Sequence, residues 1–311
     1  MTEWLQAIDR EYLGDYILAG GGSVKFGIGP PGAAREAFDE LESLALRRGF
    51  LFIELGAAQT KLNRADQIFF DVAKHIDWDG MARNYLAAAF EKHGLRLAES
   101  SHPFDLAAIA AAAGIDESVV RGYLKDALLH LYQDYAMCQE FRLAMMQFCR
   151  ARIAGLEHSS PAVKSWLQGE LRRVSEVKGA KLFQKIGRQN GRLMLQSLTY
   201  WLRRNGVPGL VLTVDLGRCL DNPRRADRGA GWYYSSGALT EVYEVLRQLI
   251  DGASNLPGTL IAVFAPGVFL SDEKRGVDRY QALKMRIFDD VRNRGRQNIL
   301  APLVRLGEEA I

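Results

Sequence analysis

Lys25-Phe26-Gly27-Ile28-Gly29-Pro30-Pro31-Gly32-Ala33-Ala34-Arg35-Glu36 is the stretch on which the reading of this chain turns. It has the outline of a phosphate-binding loop, G-x-x-x-x-G-K-[ST] between a strand and a helix. In such a loop backbone N–H groups cradle phosphates, Lys reaches the β and γ oxygens, and the hydroxyl holds Mg²⁺. Counted from Gly29, the last three positions hold Ala34, Arg35 and Glu36 instead. Ala34 puts a Cβ where the chain must come close to phosphate. Arg35 keeps the charge but exchanges a compact ammonium for a planar fork. Glu36 removes the hydroxyl and brings a carboxylate that repels a polyphosphate. An ordinary Gly/Pro turn is the competing reading.

The flanking sequence favours the loop. Val24 to Ile28 reads as a short strand, and Ala37, Phe38, Leu41, Leu44 and Ala45 recur at helical spacing, with Gly49 as the stop. Phe50 to Leu55 is a nearly continuous apolar run suited to a strand buried on both faces. Together these make a βαβ unit.

Length and composition exclude several classes. The chain has 311 residues, 48% hydrophobic and 25% charged, with a net charge of +3, as expected of a folded globular protein. No apolar run approaches the roughly 20 residues that cross a bilayer, and the N-terminus has no leader pattern, so the expectation is a cytoplasmic protein without membrane association. Cys138, Cys149 and Cys219 and five scattered histidines give no metal-ligand spacing, so no metal is expected and the cysteines read as packing residues.

In chain order, residues 1–19 read as a helical lead-in with Trp4, Leu5, Ile8, Tyr12 and Leu13 on one side, broken by Gly20-Gly21-Gly22. Residues 57–206 are predominantly helical. Within them Leu106 to Tyr123 has the spacing of a helix-turn-helix, but Asp116, Glu117 and Asp126 are acidic where a recognition helix is basic, so a Gly-marked turn between packed helices is preferred. From Lys164 to Arg204 ten Lys/Arg face two Glu, a net of +8 that leaves −5 for the remainder. Lys178, Lys181, Lys185, Arg188 and Arg192 repeat at 3, 4, 3, 4, which on a helix is one face. Such a face is the footprint of a phosphate-backbone binder, with a solvated face or an acidic partner as alternatives.

Leu210 to Asp215 returns to strand, and in a nucleoside triphosphatase its terminal Asp would help hold Mg²⁺ and be followed by a water-activating Glu. Here Leu216 follows, and the alternative role for Asp215 is a strand-end cap. Arg224, Arg225 and Arg228 precede Trp232 and Tyr233 in a loop that could stack bases while neutralising phosphates, or could dock its aromatics on the body. Thr259 to Phe264 reads as a fourth strand and Pro302 to Leu306 as a fifth.

Taken in order, Gly21 to Phe26 with Gly29-Pro30-Pro31-Gly32, Arg48-Gly49-Phe50, Trp166 to Glu170, Gly209 to Asp215, Leu246 to Asp251, and Arg275 to Leu283 ahead of Arg286 resemble the BrxD-like ATP-binding P-loop proteins of BREX-type phage-defence clusters, a family similar to AAA+ and STAND ATPases. The resemblance spans nearly the whole chain. It implies an α/β fold, a P-loop-like parallel sheet of about five strands in the order 5-1-4-3-2, right-handed crossovers and a defence setting. The expected division is 1–56 and 207–311 for the α/β domain and 57–206 for a helical insert between strands 2 and 3. The G-K-[ST] and D-E endings of the family are missing, as is a polar residue in Phe264-Ala265-Pro266-Gly267.

Three functions follow as expectations. The first is a pseudo-ATPase, with no catalytic residues and Gly29, Pro30, Pro31, Gly32, Arg35, Glu36 and Asp215 as a vestigial nucleotide site. It would need no cofactor, and would scaffold or regulate a defence complex with DNA, a helicase or a catalytically intact relative. The second still uses ATP and Mg²⁺ through Arg35 and Asp215. The third is a stand-alone DNA-binding protein contacting nucleic acid through the basic residues and aromatics named above.

Overall fold

A computed structural model describes residues 2–95, 104–155, 161–221, 232–288 and 298–307. The chain opens with α1 (Glu3–Ala7) and a π-helical stretch (Ile8–Tyr16), then β1 (Gly22–Ile28), α2 (Pro31–Arg47), β2 (Leu51–Gly56) and α3 (Ala65–Lys74). Six helices follow: α4 (Trp78–Glu91), α5 (Leu106–Ala113), α6 (Glu117–Tyr132), α7 (Gln139–Ile153), α8 (Pro161–Leu167) and α9 (Gly191–Arg204). The chain then returns to β3 (Leu210–Asp215), α10 (Gly217–Leu220), α11 (Ser236–Asp251), β4 (Thr259–Ala265), α12 (Val268–Ser271), α13 (Gln281–Ile287) and β5 (Leu303–Arg305).

Two compact units result: residues 1–71 with 207–311, and Val72–Gly206. The segment 57–71, expected within the helical stretch, groups with the sheet. In the first unit the five strands form one parallel sheet in the order β2-β3-β4-β1-β5. β3 and β4 are buried along almost their whole length, which is why Leu210 to Val214 and Thr259 to Ala265 carry no polar alternation. On one face Phe38 of α2 meets Phe264 of β4 with ring centroids 4.3 Å apart, and Trp4 meets the same ring edge-on at 6.0 Å. The buried side of α2 consists of Ala37, Phe38, Leu41, Leu44 and Ala45. Its end is set by Gly49 at φ +76°, the left-handed turn that only glycine adopts without strain.

β5 is short and joins the edge of β1, where a buried lysine fixes it. Lys25, 5% exposed in the middle of β1, donates from Nζ to the carbonyls of Leu300 at 2.6 Å and Ala301 at 3.3 Å. Burial pushes this ammonium down to about 8.

The second unit contains no strand among its described residues. Its core is aromatic: Trp78 stacks with Phe148 at 6.0 Å and meets Phe141 at 6.1 Å, while Tyr85 packs on Trp201 at 5.2 Å. α5 ends on Gly114 at φ +66° and α6 starts behind the Asp116 cap, which is the Gly-marked helical turn read from sequence. Val120, Leu124 and Leu131 of α6 are buried, whereas Tyr135, beyond its end, is exposed.

Candidate functional site

In an open parallel sheet, ligands bind where the carboxyl ends of the strands release their loops. Here that edge collects Gly29-Pro30 after β1, residues 57–62 after β2, Leu216 after β3, Pro266-Gly267 after β4 and Leu306-Gly307 after β5. The turn after β1 is two residues long. Gly29 N–H donates to the carbonyl of Ala265 at 3.1 Å, Pro30 caps α2 without a side-chain bond, and Pro31 is its first helical residue. Proline suits that position because its fixed φ is helical and its missing N–H would have no partner there.

The consequence for phosphate chemistry is direct. Pro31 to Ala34, which would curl around a phosphate in a working loop, are the first turn of a helix. Pro30 and Pro31 carry no N–H, and the N–H of Ala34 is taken by the carbonyl of Pro30 at 3.1 Å. Only Gly32 and Ala33 keep first-turn donors outside the helix ladder. A phosphate nest alternates right- and left-handed residues, and among the described residues none from 29 to 36 has positive φ. Gly29 is required by packing instead: a Cβ there would lie 2.7 Å from the carbonyl oxygen of Leu306, whereas a Cβ on Gly32 would meet open space.

Arg35 does not reach into the turn. Its guanidinium pairs with Asp39 one helical turn on at 2.7 Å and with Glu54 of β2 at 3.5 Å, and these carboxylates hold its pKa above the ordinary value. Glu36 is exposed on α2. Asp215 ends β3 with its Oδ1 accepting the N–H of Gly217 at 2.8 Å, a turn that starts α10. Leu216, at the position of the expected glutamate, is fully buried.

Around the same edge the candidate aromatics Trp232 and Tyr233 stand beside residues that the sequence did not single out, Gln59, Lys61 and Tyr234 among them. Trp232 donates from Nε1 to the carbonyl of Gln59 at 3.0 Å, its N–H reaches Ala58, and Lys61 Nζ lies 3.6 Å from its ring centroid. Trp232 is 44% exposed and Tyr233 is likewise exposed. Tyr234 is buried, donating to the carbonyl of Thr60 at 2.7 Å and accepting from the N–H of Leu62 at 3.1 Å. Arg224, Arg225 and Arg228 lie outside the described residues. Beneath these turns sits Arg275, 8% exposed, whose Nη2 donates to the carbonyls of Cys219 at 2.6 Å and Tyr234 at 2.8 Å. Tyr243 in turn donates to the carbonyl of Arg275 at 2.5 Å. Burial pushes the Cys219 thiol and the Tyr234 phenol up, so both stay neutral at physiological pH. The position of Lys61 and Gln59 just past an apolar strand was the available signal; Arg275 stood out only as the first residue of a segment carrying the family resemblance, and its buried role gave no signal because its partners are carbonyls far away in sequence.

The regular basic spacing does not become one helical face. Val174–Ala180 is a 3₁₀ helix, Lys181 follows in the left-handed region at φ 60°, residues 182–190 are irregular, and α9 begins only at Gly191. Gly179 lies inside the 3₁₀ helix and Gly187 in the irregular stretch, and a 3₁₀ helix is seldom propagated far. Lys178, Lys181, Arg188 and Arg192 are exposed. Lys185 is tied back, donating from Nζ to the carbonyls of Leu171 at 2.8 Å and Arg172 at 2.9 Å.

A profile of the BREX system ATP-binding protein BrxC/D matches residues 5–308, nearly the whole chain. The chain belongs to that family. No curated protein and no solved structure matches it. Segments that carried the resemblance, Leu246 to Asp251, Tyr280 and Arg286, meet between α11 and α13. Asp251 accepts from Arg247 at 2.5 Å and from both Nε and Nη2 of Arg286, the latter at 2.9 Å. Glu244 accepts from Arg247 at 2.6 and 2.8 Å, from Gln248 at 2.7 Å and from the Tyr280 hydroxyl. The Arg247 bonds, foremost, hold the Glu244 carboxyl down at about 2.

The family description implies a magnesium nucleotide. Against that group, the turn after β1 offers neither a nest nor an ammonium nor a hydroxyl, and one oxygen of Asp215 is engaged by its own turn. No cluster of three or more His, Cys, Asp or Glu suited to a metal occurs among the described residues.

Proposed function

We propose that this chain acts in a phage-defence system as a P-loop-like subunit that works without nucleotide, a pseudo-ATPase that scaffolds or regulates a complex. The observation that carries the reading is the winding of Pro31 to Ala34 into the first turn of α2, which leaves two first-turn donors, Gly32 and Ala33, where a phosphate needs a nest. Arg35, turned toward Asp39 and Glu54, and Asp215, capping Gly217, support it. Family membership supports the defence setting and partners drawn from it, such as a catalytically intact relative or a helicase. Among the described residues no helix is long and apolar enough to cross a membrane.

Isothermal titration of the purified chain with ATP and Mg²⁺ tests the proposal, with no measurable heat of binding as the expected result. Micromolar binding, or turnover that Asp215→Ala abolishes, would overturn it in favour of an unorthodox nucleotide site built on Arg35 and Asp215.

A second reading, association with DNA, is favoured by the exposed Lys178, Lys181 and Arg192 within the segment of net charge +8. Such contacts read no sequence, so affinity for unrelated duplexes should be equal. It should fall with salt at a log–log slope of about −0.9 per phosphate neutralised. Anisotropy with labelled duplexes at several salt concentrations measures this, and absence of binding at low salt excludes it.

A further inference from the structure

The helical unit carries an open cavity of about 980 Å³ between α6, α7 and the turn at 181–184. Its floor is apolar, formed by Leu124 and Met146, both buried, with Leu128 and Leu143 beside them. Its walls present Leu129, Tyr132 and Phe183, the last 70% exposed, so a large apolar surface is held open. The rim is basic: Arg121, Lys125, Arg150 and Lys181 against Glu140 alone. Arg121 shares its charge with Glu117 at 2.5 Å, and Glu140 accepts from Gln184 at 2.8 Å. Lys125, Arg150 and Lys181 are exposed and form no ion pair among the described residues.

Lys181 adds an independent observation. It is the only non-glycine with positive φ among the described residues, at a helix end where glycine would avoid a cost of about 1 kcal/mol. The strained residue is one of the rim cations, and two residues on stands Phe183. Backbone strain of this kind clusters at ligand clamps and switch regions.

We propose that this groove receives an amphipathic helix of a protein partner whose apolar side is flanked by carboxylates. A helix about 10 Å across occupies close to 120 Å³ per residue, so the cavity takes about two turns. Apolar anchors at i, i+3, i+4 and i+7 would meet the floor and walls, as in other helix-in-groove complexes. The flanking carboxylates would meet Lys125, Arg150 and Lys181, giving orientation and selectivity against basic helices. The inference stands apart from the nucleotide question: ATP binding would overturn the scaffold reading and leave this groove as argued.

The test uses the full chain and three fluorescein-labelled 18-residue peptides. One has Leu at that spacing with Glu on both flanks, its twin has Lys in place of Glu, and the third is the Glu peptide with a central Pro. Anisotropy is expected to show the Glu peptide binding at least about tenfold more tightly than either of the others. Lys125→Glu with Lys181→Glu should invert the preference between the Glu and Lys peptides. Leu129→Ala with Phe183→Ala should weaken binding of the Glu peptide about tenfold. Lys181→Gly should raise thermal stability while weakening the Glu peptide, a split that a purely structural lysine would not produce. All altered residues except Lys181 have ordinary backbone angles and all are exposed, and circular dichroism verifies the fold of each variant. The proposal is overturned if no peptide binds at about 1 mM, or if charge reversal leaves the preference unchanged. It is also overturned if the chain self-associates through Phe183, or if duplex DNA binds there and is indifferent to Phe183→Ala.

Discussion

The carboxyl edge of the sheet and the junction of α11 with α13 both gather residues that carry the family resemblance, and they use charge in opposite ways. At the junction, carboxylates and guanidinia saturate one another: Glu244, Arg247, Asp251 and Arg286 share at least five bonds, all at side chains a quarter to two-fifths exposed. At the edge, charged and polar groups hold backbone. Arg275 holds the carbonyls of Cys219 and Tyr234, and Asp215 holds the N–H of Gly217. The crowded network is therefore the weaker of the two. Exposed ion pairs are worth little because solvent screens them, while a buried guanidinium whose removal orphans two carbonyls is costly to lose.

Arg275→Met separates the two regions most clearly. It should destabilise the chain by about 2–4 kcal/mol in urea titration, since the carbonyls of Cys219 and Tyr234 lose their donor. A loss under about 0.5 kcal/mol would mean that water replaces the guanidinium there. Next comes Gly29→Ala, expected to cost about 1–3 kcal/mol because the new Cβ meets Leu306. If that variant is neutral, the backbone after β5 yields, and packing no longer explains this glycine.

At the junction, a double-mutant cycle on Asp251→Ala and Arg286→Ala should return a coupling of about 0.5–1 kcal/mol despite the two-pronged geometry. Its acid limb can be read separately. The folded pKa of Glu244 is depressed, so its contribution is present above the ordinary carboxylate pKa and is lost as pH falls toward about 2. Glu244→Gln should therefore flatten stability against pH between about 5 and 2, by roughly 1 kcal/mol once screening is allowed for. An unchanged slope would place the acid sensitivity elsewhere. The smallest effect is a gain: Gly32→Ala should stabilise by about 0.5 kcal/mol, because the position is helical and its Cβ would meet nothing. In a phosphate-wrapping loop the same change would be neutral or harmful to stability, so the sign decides.

Much of the sheet was legible because β3 and β4 are apolar runs bounded by glycine or proline, and α2 announces itself through the spacing of Phe38, Leu41, Leu44 and Ala45; β2 was legible too, but it is an edge strand with Glu54 exposed and not buried on both faces as expected. The start of α2 was not, since Pro30-Pro31-Gly32 serves equally as a loop or as a helix entrance. What separates the two is contact between Gly29 and Leu306, nearly three hundred residues apart. The basic repeat misled for a related reason: its spacing is helical, but the left-handed Lys181 and the irregular stretch through Gly187 break the backbone that would have displayed it. Arg275 opens a segment that carries the family resemblance, yet its buried role was not legible, because carbonyl partners are indifferent to the side chains that carry them.

The seam between β1 and β5 sets an order of assembly. β1 is synthesised before the other four strands and β5 after them, and the bond from Lys25 to Leu300 closes a separation of 275 residues. Until that closure, one edge of β1 from Phe26 to Ile28 stays open, a template to which another chain's strand can add. A nascent or truncated polypeptide ending before residue 300 would thus bear both an unsealed strand and a lysine stripped of its carbonyl acceptors. Its characteristic failure would be edge-to-edge aggregation during biosynthesis, cured by supplying the missing tail.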